Sequence, residues 1–235
     1  MLAMWIILVI ILFILIVLFC LILCFCKSFD CGHAGAPPLI EQLDPGTYSF
    51  HLKSEPEIYG NHNPNLDFYS NSRKSEPNGD YIEDILENWF GDYEKLERHH
   101  GYIQWLFPNK VTGLNRHAFR LNDYEIQEIS RNEILRDRVK RSFHLMLDFY
   151  GMSMTGDCQF ALSLSNNDRI KNLKESPHNF LRITRILTAL GEFGLRREQK
   201  NWLRFLEGMV ERGILKEADY SLNNFWTPAV QAFDR

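Results

Sequence analysis

The chain has 235 residues, of which 45% are hydrophobic and 24% are charged, and its formal net charge is -4 at pH 7. This balance is typical of an ordinary soluble surface, and no strong signature of nucleic-acid binding is visible. We therefore expect no nucleic-acid partner.

The first 26 residues predict a membrane-spanning helix. They contain no charged side chain, and Lys27 is the first charged residue. At about 1.5 Å per residue, a helix of this length exceeds the ~30 Å hydrocarbon core of a bilayer. The alternative is a cleaved signal peptide. It fits poorly, because no Lys or Arg precedes the apolar run and the A-x-A pattern at residues 34–36 lies well beyond its end.

The predicted topology is single-pass, with the C-terminal region in the cytosol. Lys27 is the one cation close to the span, and cations favour the cytosolic side. The sequence contains no N-x-S/T glycosylation acceptor, and Cys158 is the one cysteine after residue 31, so no disulfide is expected there. We expect a membrane location, with the nuclear envelope or a perinuclear membrane as candidates.

Four cysteines gather at the inner end of the span, at positions 20, 24, 26 and 31. Cysteines beside a membrane are substrates for S-palmitoylation, which predicts Cys24 and Cys26 as acylation sites that would reinforce the anchor. The alternative is that these cysteines are only small apolar residues of the helix.

Residues 27–63 are rich in Pro, Gly, Asn and His without a sustained period, which predicts a linker. Residues 64–235 follow as one domain. Its apolar residues recur at helical spacing, so the predicted fold is all-α, one compact multi-helix domain after the anchor and linker.

The clearest helix follows the N-cap residue Asn132 and ends at Gly151. A second is predicted over residues 178–193, with Gly191 and Gly194 marking its end, and a third over residues 196–212. The segment around Cys158 is interpreted as a loop. Shorter helices are predicted at residues 81–89, 93–99, 122–129, 168–174 and 218–225.

Four segments stand in a fixed order along the domain: PNLDFYSN from Pro64, NGDYIEDILENWFGDYEKLERHHGYIQWLFP from Asn78, FHLMLDFYG ending at Gly151, and HNFLRITRILTALGEFGL from His178. Together they resemble the conserved N-terminal domain of the opioid growth factor receptor family, over roughly residues 64–225. The resemblance implies a helical domain in a receptor for the pentapeptide Met-enkephalin. It also implies a link to growth regulation and to the perinuclear region and nucleus.

The sequence departs from the family's founding receptor in its N-terminal anchor and in lacking a long repeat-bearing tail. We therefore do not carry over nuclear residence. Two functions remain: a membrane-anchored receptor-like protein that binds an opioid peptide, and a membrane-tethered scaffold whose helical domain binds another protein.

A short peptide with an aromatic residue and a free carboxylate needs an apolar slot and a cation. The cationic candidates, Arg182 and Arg185, share a face of the helix predicted from residue 178, and Arg182 is the stronger candidate for a forked contact with a carboxylate. The alternatives are that the aromatic residues belong to the core and that the arginines are solvated or structurally paired. The aromatic candidates are Tyr102, Trp105 and Phe107.

No enzymatic motif is present: the sequence lacks G-x-S-x-G, a Walker loop, H-E-x-x-H and a dinucleotide fingerprint. Cys158 has no adjacent histidine, and the neighbours His99 and His100 would point apart on a helix. We expect a non-enzymatic protein with no cofactor and no bound metal.

Overall fold

The fold is seen in a computed structural model that describes residues 62–163 and 167–234. The predicted anchor over residues 1–26, the candidate acylation sites Cys24 and Cys26, and most of the predicted linker lie outside the described residues. Within the described ranges, no helix is both long and apolar enough to cross a membrane.

Helices form most of the described chain, as the spacing of apolar residues predicted, but a short hairpin interrupts them. The last helical stretch also contains a 3-10 turn (Lys216–Ala218) and a π-helical turn (Leu222–Trp226). The elements in chain order are α1 (Pro64–Tyr69), α2 (Ile82–Asn88), α3 (Tyr93–Arg98), α4 (Ile103–Leu106), α5 (Asp123–Arg131), α6 (Glu133–Phe149), β1 (Met152–Met154), β2 (Phe160–Leu162), α7 (Asn167–Glu175), α8 (His178–Glu192), α9 (Arg196–Glu211), α10 (Asp219–Ser221) and α11 (Thr227–Gln231).

Helix α6 begins and ends where its sequence predicted. The side chain of Asn132 accepts hydrogen bonds from the backbone N–H groups of Ile134 and Leu135, at 3.0 and 3.2 Å, and so satisfies two donors that the helix itself cannot pair. Gly151 follows the helix with φ of 74°, a conformation that glycine adopts at little cost. The buried face includes Val139 and Phe143.

Helices α8 and α9 are also confirmed, but the role predicted for Gly191 is wrong. Gly191 lies inside α8, and Gly194, with φ of 70°, forms the turn into α9. A Cβ atom at Gly191 would stand 2.5 Å from the ring of Phe233 and 2.8 Å from Nε2 of Gln199. The missing side chain therefore admits the C-terminal Phe233 against α8.

The segment around Cys158 is not a plain loop, which corrects the prediction. Strands β1 and β2 pair antiparallel, with Met152 opposite Leu162 and Met154 opposite Phe160. The two strands are too short for an alternation of apolar and polar residues to be detected in the sequence. Phe160 packs against Phe143 of α6, at 6.0 Å between ring centroids, so the hairpin covers one end of that helix.

The helical core is rich in aromatic side chains. Trp89, Trp105, Trp202 and Trp226 are each at most 1% exposed. Trp226 lies in the C-terminal stretch, where it donates a hydrogen bond to the carbonyl of Phe180 at 3.0 Å and fixes that stretch to α8. Large aromatic side chains bury more apolar area than any other residues, so these positions dominate the stability of the domain.

Candidate functional site

Helix α8 presents the two predicted cations in different environments. Arg182 is only 5% exposed and is paired inside the domain, which corresponds to the structurally paired alternative and corrects its prediction as a ligand contact. The C-terminal end of α3 covers it, and Arg182 donates hydrogen bonds to the backbone there. Nη1 donates to the carbonyl of Leu96 at 2.9 Å, and Nη2 donates to the carbonyl of Glu97 at 3.3 Å. The guanidinium of Arg182 therefore makes its hydrogen bonds inside the domain.

The carboxylate of Glu97 sits beside this arginine. It accepts hydrogen bonds from the side chains of Asn172 and Asn179, at 2.9 and 3.3 Å. Nε2 of His178 lies 2.7 Å from Oε1 of Glu97. Burial alone would raise the pKa of Glu97, but His178 and the two amides outweigh burial and hold that pKa at about 2. The carboxylate therefore joins α3, α7 and α8.

The three aromatic candidates are core residues. Tyr102, Trp105 and Phe107 are each 0% exposed. The hydroxyl of Tyr102 donates to the carbonyl of Leu96 at 3.1 Å, and burial raises the pKa of that hydroxyl to about 12. A peptide would reach these rings only if the domain opened, so they form no accessible slot in this structure.

Arg185, one turn along α8 from Arg182, makes no hydrogen bond or ion pair with any residue that the structure describes. Its Nε atom is buried without a partner, while the side chain as a whole remains partly exposed. Burial lowers the pKa of Arg185 to about 10, so the guanidinium is still positively charged at neutral pH. Of the five predicted binding residues, Arg185 is the one that is both charged and uncompensated.

The segment between α4 and α5, residues 107–122, which we call the α4–α5 loop, packs against Arg185. A Cβ atom at Gly113 would stand 2.8 Å from Nη1 of Arg185 and 2.9 Å from Cγ of Gln104. Glycine therefore lets the loop backbone approach both side chains. The same loop exposes apolar side chains, with Val111 55%, Leu114 80% and Phe119 37% exposed.

Two buried polar residues of this region had no place in the sequence interpretation. Gln104, in α4, is 7% exposed, and nothing in its sequence context indicated that it would be buried. Glu125 is fully buried and accepts hydrogen bonds from the backbone of Asn65 and from the backbone of Asn122, at 2.9 and 3.1 Å. The spacing Asn122-x-x-Glu125 is a capping-box pattern, so the sequence did contain a signal for Glu125.

Comparison with known proteins identifies the family. Residues 59–234 match the model of the opioid growth factor receptor conserved region. The chain belongs to the opioid growth factor receptor family. It is 42% identical over 161 residues to opioid growth factor receptor-like protein 1 of Rattus norvegicus, a match that covers 66% of this chain and 34% of that protein.

Other relatives carry the receptor's own name. The chain is 42% identical over 155 residues to the opioid growth factor receptor of Homo sapiens, covering 64% of this chain and 23% of the receptor. For the receptor of Mus musculus the identity is 44% over 165 residues, covering 68% and 26%. The matched part of the chain thus spans about a third or less of these relatives. No solved structure matches the chain.

Proposed function

We propose that the chain is a membrane-anchored, receptor-like protein without enzymatic activity, whose helical domain binds an opioid peptide of the Met-enkephalin type in growth regulation. The observation that supports this proposal most is the match of residues 59–234 to the conserved region of opioid growth factor receptors. Because the matched region is about a third or less of each relative cited, the peptide ligand is carried over as a proposal for this domain.

The α4–α5 loop and Arg185 provide a surface of the required chemistry. A peptide with an aromatic residue and a free carboxylate needs apolar area beside a cation. Val111 and Leu114 flank Gly113 in the loop and are exposed, and Arg185 adjoins the loop at Gly113. We therefore place the apolar contact on the loop, instead of on the buried rings of Tyr102, Trp105 and Phe107.

The anchor is the second part of the proposal. The uncharged apolar run over residues 1–26 supports a single-pass protein, and Lys27 supports a cytosolic domain. An anchor in the nuclear envelope or in a perinuclear membrane would keep such a domain close to the nucleus, which is the location that the family resemblance implies. A cytosolic domain requires that the peptide reach the cytosol.

Titration tests the peptide claim. The full chain in lipid nanodiscs is titrated with fluorescently labelled Met-enkephalin, and a labelled pentapeptide of the same composition in scrambled order serves as control. The proposal predicts saturable binding of Met-enkephalin and at least about tenfold weaker binding of the scrambled peptide, which is about 1.4 kcal/mol of discrimination. Equal binding of both peptides, or no saturation at high micromolar concentration, contradicts it.

One observation favours the alternative function, a membrane-tethered scaffold for another protein. Tyr220 and Phe225 form an edge-to-face ring pair, 5.9 Å between centroids, and are 66% and 39% exposed. Exposed aromatic pairs are enriched in protein interfaces. If the titration fails, the double variant Tyr220→Ser and Phe225→Ser should abolish recovery of a bound protein, whereas Phe90→Ser, at a separate exposed position, should not.

A further inference from the structure

The side chain of Arg185 differs from that of Arg182 in having no hydrogen-bond acceptor among the described residues. Arg182 is held by two backbone carbonyls, whereas Arg185 has a buried Nε atom with no acceptor among the described residues. A desolvated cation without a partner destabilises the folded state, because burial removes water that nothing replaces. Groups that cost stability in this way concentrate where a protein binds a ligand.

A second unsatisfied group borders the same glycine. Oε1 of Gln104 is buried and has no hydrogen-bond partner in the part of the chain that the structure describes. The side chains of Gln104 and Arg185 both pack against Gly113, where a Cβ atom would stand within 3 Å of each. An amide can present either its oxygen or its NH2 group after rotation, so Gln104 can donate into this space.

We propose that Arg185, Gln104 and Gly113, which we call the Arg185 corner, form a binding site for a carboxylate. A carboxylate is planar and carries one negative charge, so it matches both the charge of a single guanidinium and its forked N–H geometry. The amide of Gln104 supplies a further donor. If the proposed function holds, the ligand is the C-terminal carboxylate of the peptide, and in that respect this inference rests on it. An acidic side chain of a protein partner offers the same chemistry.

The first experiment leaves the opioid peptide out. The melting temperature of the full chain in nanodiscs is measured in sodium chloride and in sodium acetate, up to about 200 mM at constant ionic strength. Acetate that binds the native state should raise the melting temperature by about 2–4 °C relative to chloride. In Arg185→Gln the acetate effect should vanish, and in chloride this variant should melt no lower than the native chain.

Arg182→Gln is the matched control, because it removes the same group one turn away on the same helix. It should lower the melting temperature in chloride, since it breaks internal hydrogen bonds. If this variant does not fold, Gly113→Ala serves instead, because its methyl group narrows the corner and should reduce the acetate effect. Two results would overturn the site: an acetate effect that persists unchanged in Arg185→Gln, or a large loss of stability for that variant in chloride.

The second experiment compares Met-enkephalin with its C-terminal amide. The acid should bind about tenfold more tightly than the amide to the native chain, and both should bind Arg185→Gln alike. Equal affinity of acid and amide for the native chain would remove the peptide carboxylate from the Arg185 corner and leave peptide binding intact. If neither peptide binds while acetate stabilises only the native chain, the proposed function fails and the carboxylate site stands.

Discussion

At the scale of single residues, the contrast between Arg182 and Arg185 shows how partners decide what a buried charge does. Arg182 faces the carbonyls at the end of α3 and contributes to stability through hydrogen bonds. Arg185 lies on the same helix, where the neighbouring α4–α5 loop offers no acceptor to its Nε atom. A buried cation whose hydrogen bonds are all made helps to hold the fold together. A buried cation without acceptors is a candidate contact for an anionic ligand.

Glu97 leads to a prediction at this scale. Its folded-state pKa of about 2 lies below the ordinary value of 4.5, so Glu97 contributes stability above about pH 4.5 that is lost as the pH falls toward 2. We expect the difference in unfolding free energy between the native chain and Glu97→Gln to shrink by about 2–3 kcal/mol between about pH 6 and pH 2.5. Urea unfolding at a series of pH values measures this difference. Parallel pH curves for the two proteins would contradict the assignment.

At the scale of secondary structure, the long helices and the shorter α2, α3, α5 and α7 could be predicted from the sequence, whereas α1, α4 and the hairpin could not. Helices α6, α8 and α9 each repeat their apolar residues over several turns and have identifiable ends, such as Asn132 and Gly151 for α6. Helices α1 and α4 are six and four residues long, too short for a period to be seen. The hairpin has three residues in each strand, and pairing across the turn holds it together.

Two helical glycines give a matched prediction for these elements. Gly191 in α8 lies against Phe233, whereas Gly208 in α9 has nothing within 4 Å of an added Cβ atom. Gly208→Ala should stabilise the domain by about 0.5–1 kcal/mol, because alanine is the better helix former. Gly191→Ala should destabilise it by about 1–3 kcal/mol, because the methyl group displaces Phe233. Thermal or urea unfolding compares the two. Stabilisation by both substitutions would mean that Phe233 does not pack on α8.

At the scale of the whole molecule, the sequence indicated the fold class and the family but predicted the burial of the candidate binding residues only in part. The resemblance in four segments and the family match agree over most of the domain. The spacing placed Arg182 and Arg185 on one face of α8, but it gave no sign that the end of α3 covers Arg182. Burial of Tyr102, Trp105 and Phe107 depends on contacts with residues distant in sequence, for example the hydrogen bond from Trp105 to the carbonyl of Glu76.

The central claim is that a peptide binds the domain at the α4–α5 loop and Arg185. Hydrogen–deuterium exchange of the full chain in nanodiscs, with and without Met-enkephalin, tests it most directly because it reports both whether and where the peptide binds. We expect slower exchange, saturating with peptide concentration, in the α4–α5 loop and no change in the C-terminal stretch containing Tyr220 and Phe225. Protection confined to that C-terminal stretch, or no protection at saturating peptide, would contradict it.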